Sequence, residues 1–178
     1  MHNHAMALTT RRSAGIGGAI FLFLAVAVTD ARAQQFIQTG RDTLRGLPGV
    51  EVIVEPIAPQ LESQGLMASA VHANVEQYLR ARSITVYANE TENASAAKPY
   101  LYVQVSGLSL PSRGYALAVA VQVRQTLRSL VTGSAIVNAM SWDQQMVMVV
   151  QPGGGMKDVH AQVQALVDQF VQDWRAAH

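Results

Sequence analysis

The sequence predicts an α+β domain: a mainly antiparallel sheet of about five strands, with two helices packed on one face. Three observations predict it. Runs of alternating apolar and polar residues recur along the chain, as expected of strands with one buried face. Two stretches carry apolar residues at helical spacing, as expected of amphipathic helices. The last three strand runs are joined by turns too short for a parallel return, so those neighbours must run antiparallel. The expected order is β-α-β-β-β-β-α, and the simplest packing lays both helices against one face of the sheet.

Residues 1–33 are set apart from this domain. Arg11 and Arg12 supply positive charge, Ile16 to Val28 is a nearly uncharged apolar run, and Ala31-Arg32-Ala33 is a small-x-small cleavage pattern. In that order they read as a secretory signal peptide. A membrane span would need about 20 apolar residues, and this run stops at Asp30. The arginine pair also fits a twin-arginine signal. Ser13-Ala14-Gly15 follow it where bulky apolar residues are usual, so ordinary positive charge is the simpler reading. Residues 34–178 are then a single domain. Its expected destination is periplasmic or secreted after cleavage near Ala33, with no membrane anchor in the mature chain.

Within that domain Phe36 to Gly46 is a lead, in which Thr43-Leu44-Arg45 could close a helical turn. Val50 to Ile57 alternates, with Val50, Val52 and Val54 on one face and Glu51 and Glu55 on the other. Pro56 and Pro59 end it. Gln60 to Arg82 has helical spacing through Leu61, Leu66, Val71, Val75, Tyr78 and Leu79. Gly65 is its weak point; the regular helix could begin near Leu66, or be capped by Ser69. Ser83 to Tyr87 is a short β-branched strand. Ala88 to Lys98 is the least structured stretch and reads as a solvated loop. Asn89-Glu90-Thr91 and Asn93-Ala94-Ser95 within it also fit a glycosylation acceptor.

Three long strands follow. In Tyr100 to Leu108, Leu101, Val103 and Val105 oppose Tyr102, Gln104 and Ser106. Tyr115 to Leu127 places Tyr115, Leu117, Val119, Val121 and Val123 on one side. Ala135 to Val150 is the third, bent near Ser141 to Asp143. After a glycine-rich loop, Met156 to Ala176 is the last helix, with a stripe of Val159, Val163, Leu166, Val167, Phe170 and Trp174. Asp158, Gln162, Gln164, Asp168, Gln172 and Asp173 fall mainly away from the stripe.

Composition narrows the function classes. Apolar residues are 49% and charged residues 14%, enough apolar side chain to form a core. Without Arg11, Arg12, Arg32 and Asp30, ten basic and eleven acidic residues remain, a net charge of −1. Such a domain has no electrostatic footprint for nucleic acid. The absence of cysteine excludes disulfides, thiolate metal sites and cysteine nucleophiles.

Leu47 to Trp174 resembles a family of small exported bacterial proteins of unassigned function. The residues carrying the resemblance are Gly49-Val50-Glu51-Val52-Ile53-Val54-Glu55, Pro99-Tyr100-Leu101-Tyr102-Val103, the strand with Gln122 and Leu127, Ser141-Trp142, and Val167-Asp168-Gln169-Phe170. More distantly, the layout is similar to small periplasmic accessory domains such as the amino-terminal domain of TolB. The first resemblance implies an envelope domain and no particular reaction; the second transfers no function.

No reactive constellation stands out. Gly153-Gly154-Gly155 before a helix could hold an anion, but neither nucleotide-loop pattern is present, and a flexible hinge is the simpler reading. His72 and Glu76 share a helix face, yet a metal would need further ligands and nothing brings His160 near. No serine sits in G-x-S-x-G. Glu51, Glu55 and Glu62 could supply paired carboxylates, though solvated carboxylates explain them as well. Met140, Met146, Met148 and Met156 could bind copper or a partner; gap-filling in the core is the plainer role. Tyr100 and Tyr102 share the face opposite the apolar row and are the candidate recognition residues. No cofactor is implied. The expected function is non-enzymatic binding of a partner in the cell envelope, through that face or the open sheet edge. A small exported hydrolase and a carrier of an apolar ligand between helices and sheet are the alternatives. The oligomeric state is not legible in the sequence.

Overall fold

The structure, a computed structural model, describes residues 40–151 and 155–178, which lie in one unit, Gln38–His178. The signal segment, its cleavage site, and Gly153-Gly154 fall outside the described residues. In chain order the elements are β1 (Val50–Val54), α1 (Pro59–Glu62), α2 (Ala68–Arg80), β2 (Val86–Tyr87), β3 (Tyr100–Leu110), β4 (Gly114–Arg128), β5 (Ala135–Val150) and α3 (Lys157–Ala177). They form the expected α+β fold around a five-stranded sheet of order β2-β1-β3-β4-β5. Among the described residues no helix is long and apolar enough to cross a membrane.

The long strands β3, β4 and β5 pair antiparallel, as their short turns require. At the first turn Ser112 and Gly114 hold φ of 58° and 92°. A side chain at Gly114 would run into the Val150 carbonyl of the neighbouring strand. The other half of the sheet is parallel. β1 lies between β2 and β3 and runs parallel to both. A helical crossover separates β1 from β2, which permits that direction.

The continuous helix expected over Gln60 to Arg82 is two helices. Pro59 starts α1 at a position where its missing N–H is harmless. Gly65, at φ 95°, then turns the chain out of helical geometry. Met67 is the N-cap of α2 and makes no side-chain capping bond, while Ser69 lies inside the helix. The strand expected from Ser83 shrinks to Val86–Tyr87 because Ser83 itself sits at φ 62°.

One face of the sheet carries the core. Val50, Val52, Leu101, Val103, Val105, Leu117, Val119, Val121 and Val123 are buried there. Val71, Val75 and Leu79 of α2 and Val159, Val163, Val167 and Phe170 of α3 complete it. The spacing-based stripe of the last helix is buried as read, Leu166 partly so. The aromatic seam runs from Trp142 to Phe170 to Trp174, with ring centroids 5.4 and 5.6 Å apart. The lead segment joins this core too: Leu44 is fully buried, and the helical residues are 40–42, with Thr43-Leu44-Arg45 in the turn that follows them.

Two placements differ from the sequence reading. Asp173, expected on the solvent side of α3, is buried. It accepts a hydrogen bond from Trp142 Nε1 at 3.0 Å and pairs with Arg41 Nη2 at 2.9 Å. The loop Ala88–Lys98 is organised, not merely solvated. Asn89 Oδ1 accepts from the amides of Thr91 and Glu92, and Asn93 is buried with its Nδ2 donating to the Pro99 carbonyl. A buried Asn93 makes a poor glycosylation acceptor, since that modification needs a surface site.

Candidate functional site

The part of the sheet face opposite the helices that carries the candidate residues is built by β1, β3 and β4, with β5 at its edge. Strand alternation fixes its residues: whatever puts Val52, Leu101 and Val123 inside puts their neighbours outside. In register these neighbours form rows. Glu51 lies beside Tyr100 and Tyr100 beside Arg124; Ile53 lies beside Tyr102 and Tyr102 beside Gln122. Tyr100 and Tyr102 are half-buried and meet edge to face, with centroids 6.4 Å apart. The Arg124 guanidinium lies over the Tyr102 ring, 4.2 Å from its centroid, and donates to Gln122 Oε1 at 2.7 and 3.0 Å. The cation is attracted to the ring face, and its two bonds to Gln122 fix its position along the strand.

A pocket of 250 Å³ opens beside Tyr100. Glu51, Ile53, Glu90, Asn93, Lys98, Tyr100 and Asn138 line it, so four separate segments meet there. Lys98 is held by donating from Nζ to the Glu90 carbonyl. Burial first, then the nearby Glu90 carboxylate, raises the Glu51 carboxyl above its ordinary range, against the pull of His72 and Lys98. Burial and the Glu55 carboxylate likewise raise the Tyr102 hydroxyl, opposed by Arg124. The site can therefore offer carboxyls, two phenols and two cations to a partner.

The other candidates scatter. His72 Nε2 lies 3.0 Å from the Val52 carbonyl, and Glu76 is engaged by Arg80 at 3.0 Å. His160 lines a different cleft, of 390 Å³, between α2 and α3 with Val71, Asn74 and Tyr78. Glu51 lies on the outer side of β1 and Glu55 just past its end, whereas Glu62 belongs to α1. Met146, Met148 and Met156 pack on or in the core. Met140 does not join them: the ladder slips between Val123 and Arg124, Ser141 is squeezed out, and Met140 pairs with Arg124 instead. Trp142 and Trp174 are likewise core residues. Arg124, Glu90, Lys98 and Asn138 were not singled out in the sequence. Only Arg124 had a local signal, its place in the polar half of an alternating strand. The others reach the site through loop geometry and a bulged strand.

What these features define is an α+β domain with one face given to its core and the other to a patterned aromatic and charged surface. No protein-family model and no curated protein matches the chain. Among solved structures it is similar to a minor lipoprotein from Acinetobacter baumannii, at 13% identity, over 71% of this chain and 87% of that one. The TM-score of 0.28 is too low for that likeness to carry an argument.

Proposed function

We propose that the chain is exported and that its mature domain is a non-enzymatic binding module of the cell envelope, recognising a protein partner through the face of Tyr100 and Tyr102. The observation that carries this reading is the patterned surface: two tyrosines, a stacked arginine and an acidic pocket lie on the sheet face that the helices leave uncovered. Tyrosine and arginine suit such a role, since both supply large contact area at low ordering entropy and rank among the residues that dominate interface energies. Export rests on the charged, apolar and small-residue succession of residues 1–33.

The test is a paired pull-down from envelope extract with the wild-type domain and a Tyr100→Ala/Tyr102→Ala variant. A partner held by the first and lost by the second supports the module. Recovery of nothing above background, or equal recovery by both, overturns it. The carrier alternative requires a cavity between helices and sheet. Val52, Leu101, Val103, Val119 and Phe170 of that layer are all buried.

A further inference from the structure

We propose that the pocket beside Tyr100 receives a lysine side chain of the partner, with Glu51, Glu90 and the buried Asn93 amide oxygen around its ammonium. This rests on the reading of the tyrosine face as a docking surface and says what the partner must present there.

Asn93 carries the inference. It lines the pocket while only 1% exposed. Its Nδ2 donates to the Pro99 carbonyl at 3.0 Å, which fixes the amide's orientation, because the reversed amide would set two oxygens against each other. Oδ1 is then left buried with no hydrogen-bond partner. Buried acceptors are normally satisfied, and an orphan costs free energy until a donor reaches it. The occupant must therefore bring an N–H or O–H.

Charge narrows the choice. Glu51 and Glu90 line the same pocket. Neither is in an ion pair among the described residues, where the pairs engage Asp42, Glu76 and Asp173. Lys98 is the one cation in the lining, and its Nζ is already donated to the Glu90 carbonyl at 2.8 Å. Burial and Glu90 raise the Glu51 carboxyl in spite of His72 and Lys98, so the pocket is short of positive charge. Tyr100 adds an aromatic wall, and such rings attract cations. An ammonium brings three N–H donors to one point, enough for Oδ1 and both carboxylates. Calcium would need about six to eight oxygens and would meet the Lys98 ammonium. Size agrees with a side chain: at 250 Å³ the pocket lies below the roughly 300–1,000 Å³ of small-molecule sites. Ile53, also in the lining, offers apolar surface to the lysine methylenes.

The experiment is an NMR titration of the purified domain with Nα-acetyl-lysine methylamide, against the same compound acetylated on its ε-nitrogen. The charged compound is expected to give saturable shifts at the amides of Glu51, Asn93, Lys98 and Tyr100, and the neutral one none. Affinity should fall at least about tenfold for Glu51→Gln/Glu90→Gln, and rise for Lys98→Gln, which removes the resident cation. Circular dichroism spectra like that of the wild type verify that both variants fold. Equal shifts from the two compounds, no saturable shift from the charged one, or shifts from calcium chloride alone overturn the proposal. A pull-down from envelope extract separates it from the reading beneath it. The lysine compound in excess should release the partner, and Glu51→Gln/Glu90→Gln should fail to recover it. A partner lost by Tyr100→Ala/Tyr102→Ala but kept by the glutamine variant overturns the lysine pocket and leaves the binding module standing. No partner for the wild type overturns the module, and the titration still decides whether the pocket takes an ammonium.

Discussion

At the scale of the residue, Asp173 shows how a polar side chain becomes structural. It is buried, and its two oxygens are divided between the Trp142 indole and the Arg41 guanidinium. Asp173→Ala leaves an indole N–H and a guanidinium without their acceptor, so chemical denaturation should report a loss of about 3 kcal/mol. Asp173→Asn, which keeps the shape and an acceptor, should lose less. Helical spacing could not reveal this burial, because the stripe is defined by apolar residues and Asp173 is adjacent to one, Trp174. Glu51 supplies the pH test. Its carboxyl is raised in the folded state by burial and Glu90, so the folded protein holds the proton more tightly than the unfolded chain. Stability then falls as pH rises from the ordinary carboxylate range through the raised value. Glu51→Gln never ionises, so its melting temperature relative to wild type should improve on going from acid to neutral buffer. A difference that stays flat with pH would count against that account.

At the scale of the element, periodicity was a reliable guide wherever one face of a strand or helix is buried. The valine rows of β1, β3 and β4 and the stripe of α3 are inside as their spacing requires. It failed where a single backbone angle breaks the period. Gly65 divides the expected helix, Ser83 shortens β2, and the slip at Ser141 sends Met140 to the opposite side from Met146. One residue of slip reverses every side chain beyond it. The turn between β3 and β4 gives the sharpest prediction at this scale. Gly114 has both a left-handed backbone and the Val150 carbonyl against it. Gly114→Ala should destabilise the domain by about 2–4 kcal/mol, combining backbone strain with a clash against β5. Gly65→Ala, strained in the same way but with nothing within 4 Å, should lose only about 1 kcal/mol. Equal losses would show that the contact with β5 is unimportant.

At the scale of the whole molecule, the described chain behaves as one core bridged by its aromatic seam. Trp142 sits on β5 and Trp174 on α3, and Phe170 touches both. Tryptophan fluorescence and far-ultraviolet circular dichroism should therefore lose their native signals in a single coincident denaturant transition. Separate midpoints would mean that α3 leaves the sheet independently. The segment before β1 belongs to the same unit: Leu44→Ala should lower stability by about 2–5 kcal/mol, as for any buried leucine. By itself the sequence determined the class of fold, the antiparallel run of β3 to β5, which valines are inside, and that Tyr100 and Tyr102 share the face opposite them. Those properties follow from alternation, helical spacing and turn length, which act between residues close along the chain. Only the tertiary structure decided that β1 lies parallel between β2 and β3, that Asp173 is interior, and that Glu90, Lys98 and Asn138 surround Tyr100. Those depend on pairings between residues distant in sequence, where burial and hydrogen bonding across the fold outweigh any local preference.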